Sequence, residues 1–130
     1  MHLVGDEINE FEPSKVAKRS MFDKNIVYHF QSLEHTCDYI FSHLGLNNDS
    51  QIEYPLLMTE AMCNPNYSRS LVSEILFECY HIPALSYCVD SLLAFHYNTT
   101  KLNGCTSPAK SGIIIDSSHQ STHIIPVLNS

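Results

Sequence analysis

From Phe30 to Leu44, apolar residues recur every three or four positions. Phe30, Leu33, Cys37, Ile40, Phe41 and Leu44 fall on one helical face. Gly45 follows immediately and predicts a left-handed C-cap, whereas nothing before Phe30 is a good N-cap. A second stripe, Leu71, Val72, Ile75, Leu76, Cys79 and Tyr80, lies between Asn64-Pro65 and Pro83. Asn64 suits the N-cap and Pro65 the first helical position. Tyr54 to Met58 and Ala84 to Val89 are short apolar runs that predict strands, the first opening at Pro55. Asp90 then starts a short helix with Leu92, Leu93, Phe95 and His96. The densest pattern is Gly112 to Pro126. Ile113 to Ile115 run into Asp116, Ser117 to Ser121 are polar, and Thr122 to Leu128 are apolar again. β-Branched residues suit a pleated surface, so this stretch predicts strand, tight turn, strand. A run apolar on both faces predicts cover on both sides. Asp116 would then end a central strand, the place where α/β sheets bind ligands.

Helices alternating with strands predict an α/β sheet with parallel members. The remaining segments are polar. His2 to Gly5 reads as the tail of a strand, Glu7 to Arg19 as a surface connection, and Ile26 to Tyr28 as a short strand-like run. Asn47 to Glu53 and Asn98 to Ser111 read as loops.

Composition narrows the classes. The 130 residues suit one domain, and 44% apolar content is that of a globular protein. The net charge of -7 argues against a nucleic-acid surface, which needs clustered Lys and Arg. Lys15, Lys18, Arg19 and Lys24 do cluster, and read as a solvated face. The five cysteines are odd in number and lack C-x-x-C spacing, which predicts reduced thiols packed as small core residues. In a reducing compartment the sequons at Asn48, Asn66 and Asn98 carry no meaning. The start lacks the basic and apolar regions of a signal peptide, and no run of about 18 apolar residues predicts a membrane span.

Candidate chemistry is sparse. Asp116 is either a ligand at a strand end or the cap of a turn. Asp90 is most simply a helix N-cap. His119 and His123 have zinc-like spacing, but they flank a turn and no third ligand is near.

One stretch is less generic. YPLLMTEAMCNPNYSRSLVSEILFECYHIPALSY, from Tyr54 to Tyr87, is similar to the actin family in its Pro, apolar run, Thr-Glu-Ala, Asn-Pro and helix ending in Phe-Glu. GIIIDSSHQSTHIIPV resembles that family's second phosphate loop, and VGDE and IVYHF fit its opening. The resemblance covers nearly the whole chain. It implies an α/β, actin-like (ribonuclease H-like) ATPase fold, present in part, as a mixed sheet with flanking helices. Residues 1–25 would connect from the small-subdomain side, and residues 26–130 would form part of the first large domain, cut at the hinge.

The resemblance also carries roles. In the family the acid at the Asp116 position helps hold a metal through water, and loop N–H groups cradle phosphate. Asp116, Ser117, Thr122 and His123 match the family, and the His123 position helps organise attacking water. Ser118 and Gln120 replace glycines, His119 replaces an acid, and Asp90 replaces a water-positioning Gln. A φ > 0 conformation at Ser118 or Gln120 would cost about 1 kcal/mol or more. The implied site is degenerate. No residue is assigned catalysis and none binds metal directly, and ATP or ADP with Mg is expected only in a full-length parent. RSMFDKNIV and FECYHIPALSYCVDSL resemble the branch of the family that serves as non-filamentous subunits of INO80-type, ATP-dependent chromatin-remodelling complexes. That implies a nuclear location, protein partners including a helicase-type motor, and indirect contact with the nucleosome. It implies no membrane association and no direct sequence-specific DNA binding. The other reading is a nucleotide-binding ATPase or filament former.

Overall fold

The computed structural model describes residues 4–10, 19–46, 52–102 and 111–128. A 3-10 helix at Gly5–Glu10 leads to strands β1 (Phe22–Asp23) and β2 (Ile26–Val27) and helix α1 (Phe30–His43). Strand β3 (Leu56–Glu60) precedes α2 (Asn66–Glu74), which continues into a π-helical turn at Ile75–Cys79. Then come β4 (Leu85–Val89), α3 (Asp90–Leu102), β5 (Gly112–Ser117) and β6 (Thr122–Val127). The mixed α/β character matches expectation. The single sheet does not. Among the described residues the strands pair two by two, β1 with β2, β3 with β4, and β5 with β6. The first and last pairs are antiparallel hairpins. Each of these two finds its partner across a short turn, the pairing of lowest closure entropy.

The chain forms two compact units. Residues 1–56 and 65–85 make one, and residues 57–64 and 86–130 the other. The first holds most of the buried side chains: Leu33, Cys37, Phe41, Ile52, Val72, Leu76 and Ile82. Leu76, 1% exposed, is the best-enclosed of the described core residues, so Leu76→Ala costs about 2–5 kcal/mol. Tyr80 ties α1 to the end of the π turn. Its hydroxyl lies 2.9 Å from the Glu34 carbonyl and 2.8 Å from Asp38 Oδ1, and its ring meets Phe41 edge-on at 4.9 Å. Burial, and the hydrogen bond to Asp38, push the phenol well above its usual range. Ser68 Oγ, on α2, donates to the Val27 carbonyl at 3.0 Å.

Local chemistry explains the element ends. Lys24 and Asn25, both at positive φ, form the turn between β1 and β2, as a two-residue type I′ hairpin requires. α1 is capped after all: His29 Nδ1 lies 3.3 Å from the Ser32 N–H. At its other end Gly45 has φ +76°, its N–H bonds the Ser42 carbonyl, and the Leu46 N–H bonds the Phe41 carbonyl. That is a Schellman closure with the glycine where a side chain would be strained. Only Leu33, Cys37 and Phe41 of the predicted stripe are buried on α1, and Ile40 and Leu44 stand in solvent.

α2 starts later than its sequence suggests. Pro65, not Asn64, is the N-cap, because the Asn64 amide is committed to Glu60 Oε2 at 2.9 Å. The π turn adds a residue to one helical turn, which rotates the later positions outward. Phe77 and Cys79 are therefore exposed, although Cys79 falls on the predicted stripe. α3 runs to Leu102, past Asn98 where a loop is predicted. Thr99 and Thr100 hydroxyls bond back to His96, and the Lys101 ammonium lies over the Tyr97 ring. These contacts offset the low helix propensity of the two threonines. Gly5 opens a 3-10 turn instead of ending a strand. Positions 1–3, 11–18, 47–51 and 103–110 lie outside the described residues. With them lie the expectations for His2, Lys15, Lys18, the first part of the loop after Asn47 and most of the loop before Ser111.

Two outcomes follow. Among the described residues Ile125 and Val127 are the fully buried apolar residues of the second unit, so its amides should exchange with solvent faster than those of α1 and α2. Equal protection across both units in a hydrogen-exchange experiment would contradict this. Burial pushes the Cys37 thiol up to about 11 from 9.0. Its stabilising protonated state is intact below pH 9 and is lost as pH rises toward 11. Iodoacetamide at pH 8 should therefore alkylate exposed Cys63 well before Cys37, as read by peptide mass spectrometry.

Candidate functional site

The register of β5 and β6 sorts their side chains. Gly112 pairs with Val127, Ile114 with Ile125, and Asp116 with His123. Because side chains alternate, these six share one face. That face is the covered one: Ile125 and Val127 are buried, and Ile114, Asp116 and His123 are half-buried. The opposite face carries Ile113, Ile115 and Ile124, each at least 70% exposed. The expectation of a central strand covered on both sides is corrected here. β5 belongs to a two-stranded hairpin and has cover on one face only.

Asp116 is the next-to-last residue of β5, as expected. Asp90 is the first residue of α3, and its Oδ1 accepts the Ser91 N–H at 2.7 Å. Asp90 and Asp116, distant in sequence, line the same cleft of about 570 Å³. Its other walls include Ser91, Ala94, Phe95 and Ile114. Gly112 permits this arrangement: a Cβ there would sit 2.7 Å from the Phe95 ring. Ser117, Ser118, Thr122 and His123 are not part of the wall.

Ser118 lies in the turn, and Ser117, Thr122 and His123 are the strand residues that flank it. The Ser118 N–H donates to the Ser121 carbonyl at 2.9 Å, and the Ser118 hydroxyl bonds the same oxygen at 3.2 Å. Ser117 Oγ and Thr122 Oγ1 are 3.1 Å apart, and His123 Nε2 is 3.1 Å from Ser121 Oγ. None of Ser118, His119 and Gln120 has positive φ. The expected backbone strain is thus absent. A turn closed by its own hydrogen bonds tolerates ordinary residues, and the glycine conformations are not required. The same closure spends the Ser118 N–H inside the loop. A phosphate-binding nest needs consecutive N–H groups turned outward, commonly through a left-handed residue. Two carboxylates line the adjacent cleft, and carboxylates repel a polyphosphate unless a cation stands between them. No group of three His, Cys, Asp or Glu side chains among the described residues is placed to hold a metal ion.

A second hollow, of about 250 Å³, has no signal in the sequence. The 3-10 helix meets α1 so that Glu7, Asp38, Tyr39 and His43 share its wall. Gly5, at φ +62°, lies so close to Tyr39 that a Cβ would be 2.8 Å from the ring. His43 Nδ1 bonds the Tyr39 carbonyl at 2.8 Å. Residues so far apart in sequence give no periodic pattern to detect.

Hairpin, helix stripes and strand-end acid together define the class. The actin family profile matches residues 2–130, and the chain belongs to the actin family. It is 42% identical over 125 residues to Actin-related protein 5 of Homo sapiens, across 96% of this chain and 20% of the relative. It is 40% identical over 131 residues to Actin-related protein 5 of Arabidopsis thaliana, across 98% and 17%. Actin-like protein arp5 of Schizosaccharomyces pombe is 36% identical over 127 residues, across 98% and 16%. The chain thus spans a fifth or less of the length of these curated relatives, and it is similar to one part of them.

The turn gives a test of strain against relaxation. Gln120→Gly should speed amide exchange in the hairpin about two- to fivefold, since glycine adds about 0.4–1 kcal/mol of unfolded-state freedom. Slower exchange would mean that the native residue is strained.

Proposed function

We propose that the chain is part of a non-filamentous, actin-related structural subunit of a nuclear, ATP-dependent chromatin-remodelling complex of the INO80 type. In that role the actin-like fold presents a rigid surface to other protein subunits, including a helicase-type motor. It supports nucleosome binding through them and does not read DNA sequence. The likeness to relatives named Actin-related protein 5 supports the subclass. The observation that carries the structural role is the self-closed Ser118–Ser121 turn beside the Asp90 and Asp116 carboxylates. Phosphoryl-transfer catalysis depends on positioned N–H donors and cations around the phosphates. The charged groups here are carboxylates, and no cation lines the cleft. Two further facts agree. Among the described residues no helix is long and apolar enough to cross a membrane. The net charge of -7 suits contact with proteins better than with a phosphate backbone.

The second reading is a nucleotide-binding, ATP-hydrolysing or filament-forming protein. It draws on Asp116, Thr122 and His123, which keep the residue types of the family's phosphate loop. In that reading ATP or ADP with Mg would bind only in the longer protein, with Asp116 holding the metal through water. Hydrolysis separates the two. The full-length protein should turn over ATP far more slowly than actin. Ser118→Gly, His119→Asp, Gln120→Gly and Asp90→Gln together should raise the rate. Turnover at actin-like rates by the unaltered full-length protein would overturn the structural reading.

A further inference from the structure

The cleft beside α3 and β5 has a wall chemistry that the structural reading leaves unused. Its charged lining is wholly acidic, and Ser91, Asn98 and Thr99 add neutral polar groups. Asp90 and Asp116 contribute carboxylates, and no Lys, Arg or His lines it. Ser91 lies in the same wall, and its Oγ is shielded from solvent with no hydrogen-bond partner among the described residues. The apolar part of the wall is led by Phe95 and Ile114. At about 570 Å³ the cleft has the size of a small-ligand site. His123, the cross-strand partner of Asp116, is engaged with Ser121 Oγ and does not line the cleft.

Positive charge, N–H donors and an apolar stem would complement the two carboxylates, the Ser91 oxygen and the apolar wall. We propose that the cleft receives the basic side chain of a partner polypeptide, an arginine whose guanidinium meets Asp90 and Asp116 and whose methylenes cross Phe95 and Ile114. Guanidinium supplies five N–H donors in a planar fork, matched to carboxylates, and it stacks on aromatic rings. An unpartnered hydroxyl oxygen such as Ser91 Oγ gains a hydrogen bond from the same group. A nucleotide would bring the opposite charge to this wall. This inference rests on the structural-subunit reading. It adds what that subunit's vestigial site is for: an anchor point for a basic segment of another subunit.

The test uses the unaltered 130-residue chain and two blocked peptides, acetyl-Leu-Arg-Leu-amide and its uncharged isostere with citrulline in place of arginine. Binding is followed by amide chemical shifts, which also locate the peptide. The arginine peptide should shift amides of Ala94, Phe95 and Ile114, and the citrulline peptide should bind at least about tenfold more weakly. Asp90→Asn and Asp116→Asn should each weaken the arginine peptide by about three- to tenfold. Asparagine keeps an acceptor for the Ser91 N–H, and far-UV circular dichroism checks that the fold persists. Asp6→Asn, outside the cleft, should change nothing. Equal binding of both peptides, an equal effect of Asp6→Asn, shifts confined to other surfaces, or no binding at all would each overturn the proposal. None of these results touches the subunit reading, which falls instead if the full-length protein hydrolyses Mg·ATP at actin-like rates.

Discussion

Pairing Gly112 with Val127 fixes every later pair of the β5–β6 hairpin. A slip of one residue in either strand would send its side chains to the other face. Asp116 would leave the face it shares with Ile114 and Ile125, and the cleft would lose one of its two carboxylates. Two local features hold the register. At one end, Gly112 admits the Phe95 ring into space that any side chain would fill. At the other, Ser118 and Ser121 close the turn through backbone and side chain together. The placement of the acid is thus a consequence of a glycine and two serines.

The first unit depends on a different economy. Its core is a row of aliphatic and aromatic residues from α1, α2 and the segments beside them, anchored by one tyrosine that satisfies a backbone carbonyl and a carboxylate at once. The π turn feeds into that tyrosine. By adding a residue it turns Cys79 outward and leaves Tyr80 within reach of Glu34 and Asp38. An irregular helix is kept where a regular one would point the anchor elsewhere.

Much of the fold was legible because period and punctuation are local. The stripe from Leu33 to Phe41, the C-cap at Gly45, the strand ending at Val89 and the strand that carries Asp116 near its end follow from spacing and turn chemistry. The misses share a cause, which is competition by contacts that spacing does not encode. Asn64 is drawn away from capping by Glu60, and His29 caps a helix that lacks a usual capping residue. Thr99 and Thr100 carry α3 onward by bonding back to it. At the candidate site, Asp90 and Asp116 were each visible as singular acids, but their meeting in one cleft is a tertiary fact. The turn between Asp116 and His123 departs from expectation for a related reason. The family's glycines suggested strained backbone at Ser118 and Gln120, whereas the serines close the loop with ordinary φ.

The outer face of the hairpin has a consequence for handling this polypeptide. Ile113, Ile115 and Ile124 form a β-branched, uncharged strip on a sheet of two strands. Such a strip, with open edges beside it, is a template for strand addition and for stacking between molecules. The nearby Asp116 faces the other way and cannot act as a gatekeeper against it. Solubility of this chain therefore depends on its overall negative charge, and it will fall as pH approaches the isoelectric point near 5.5.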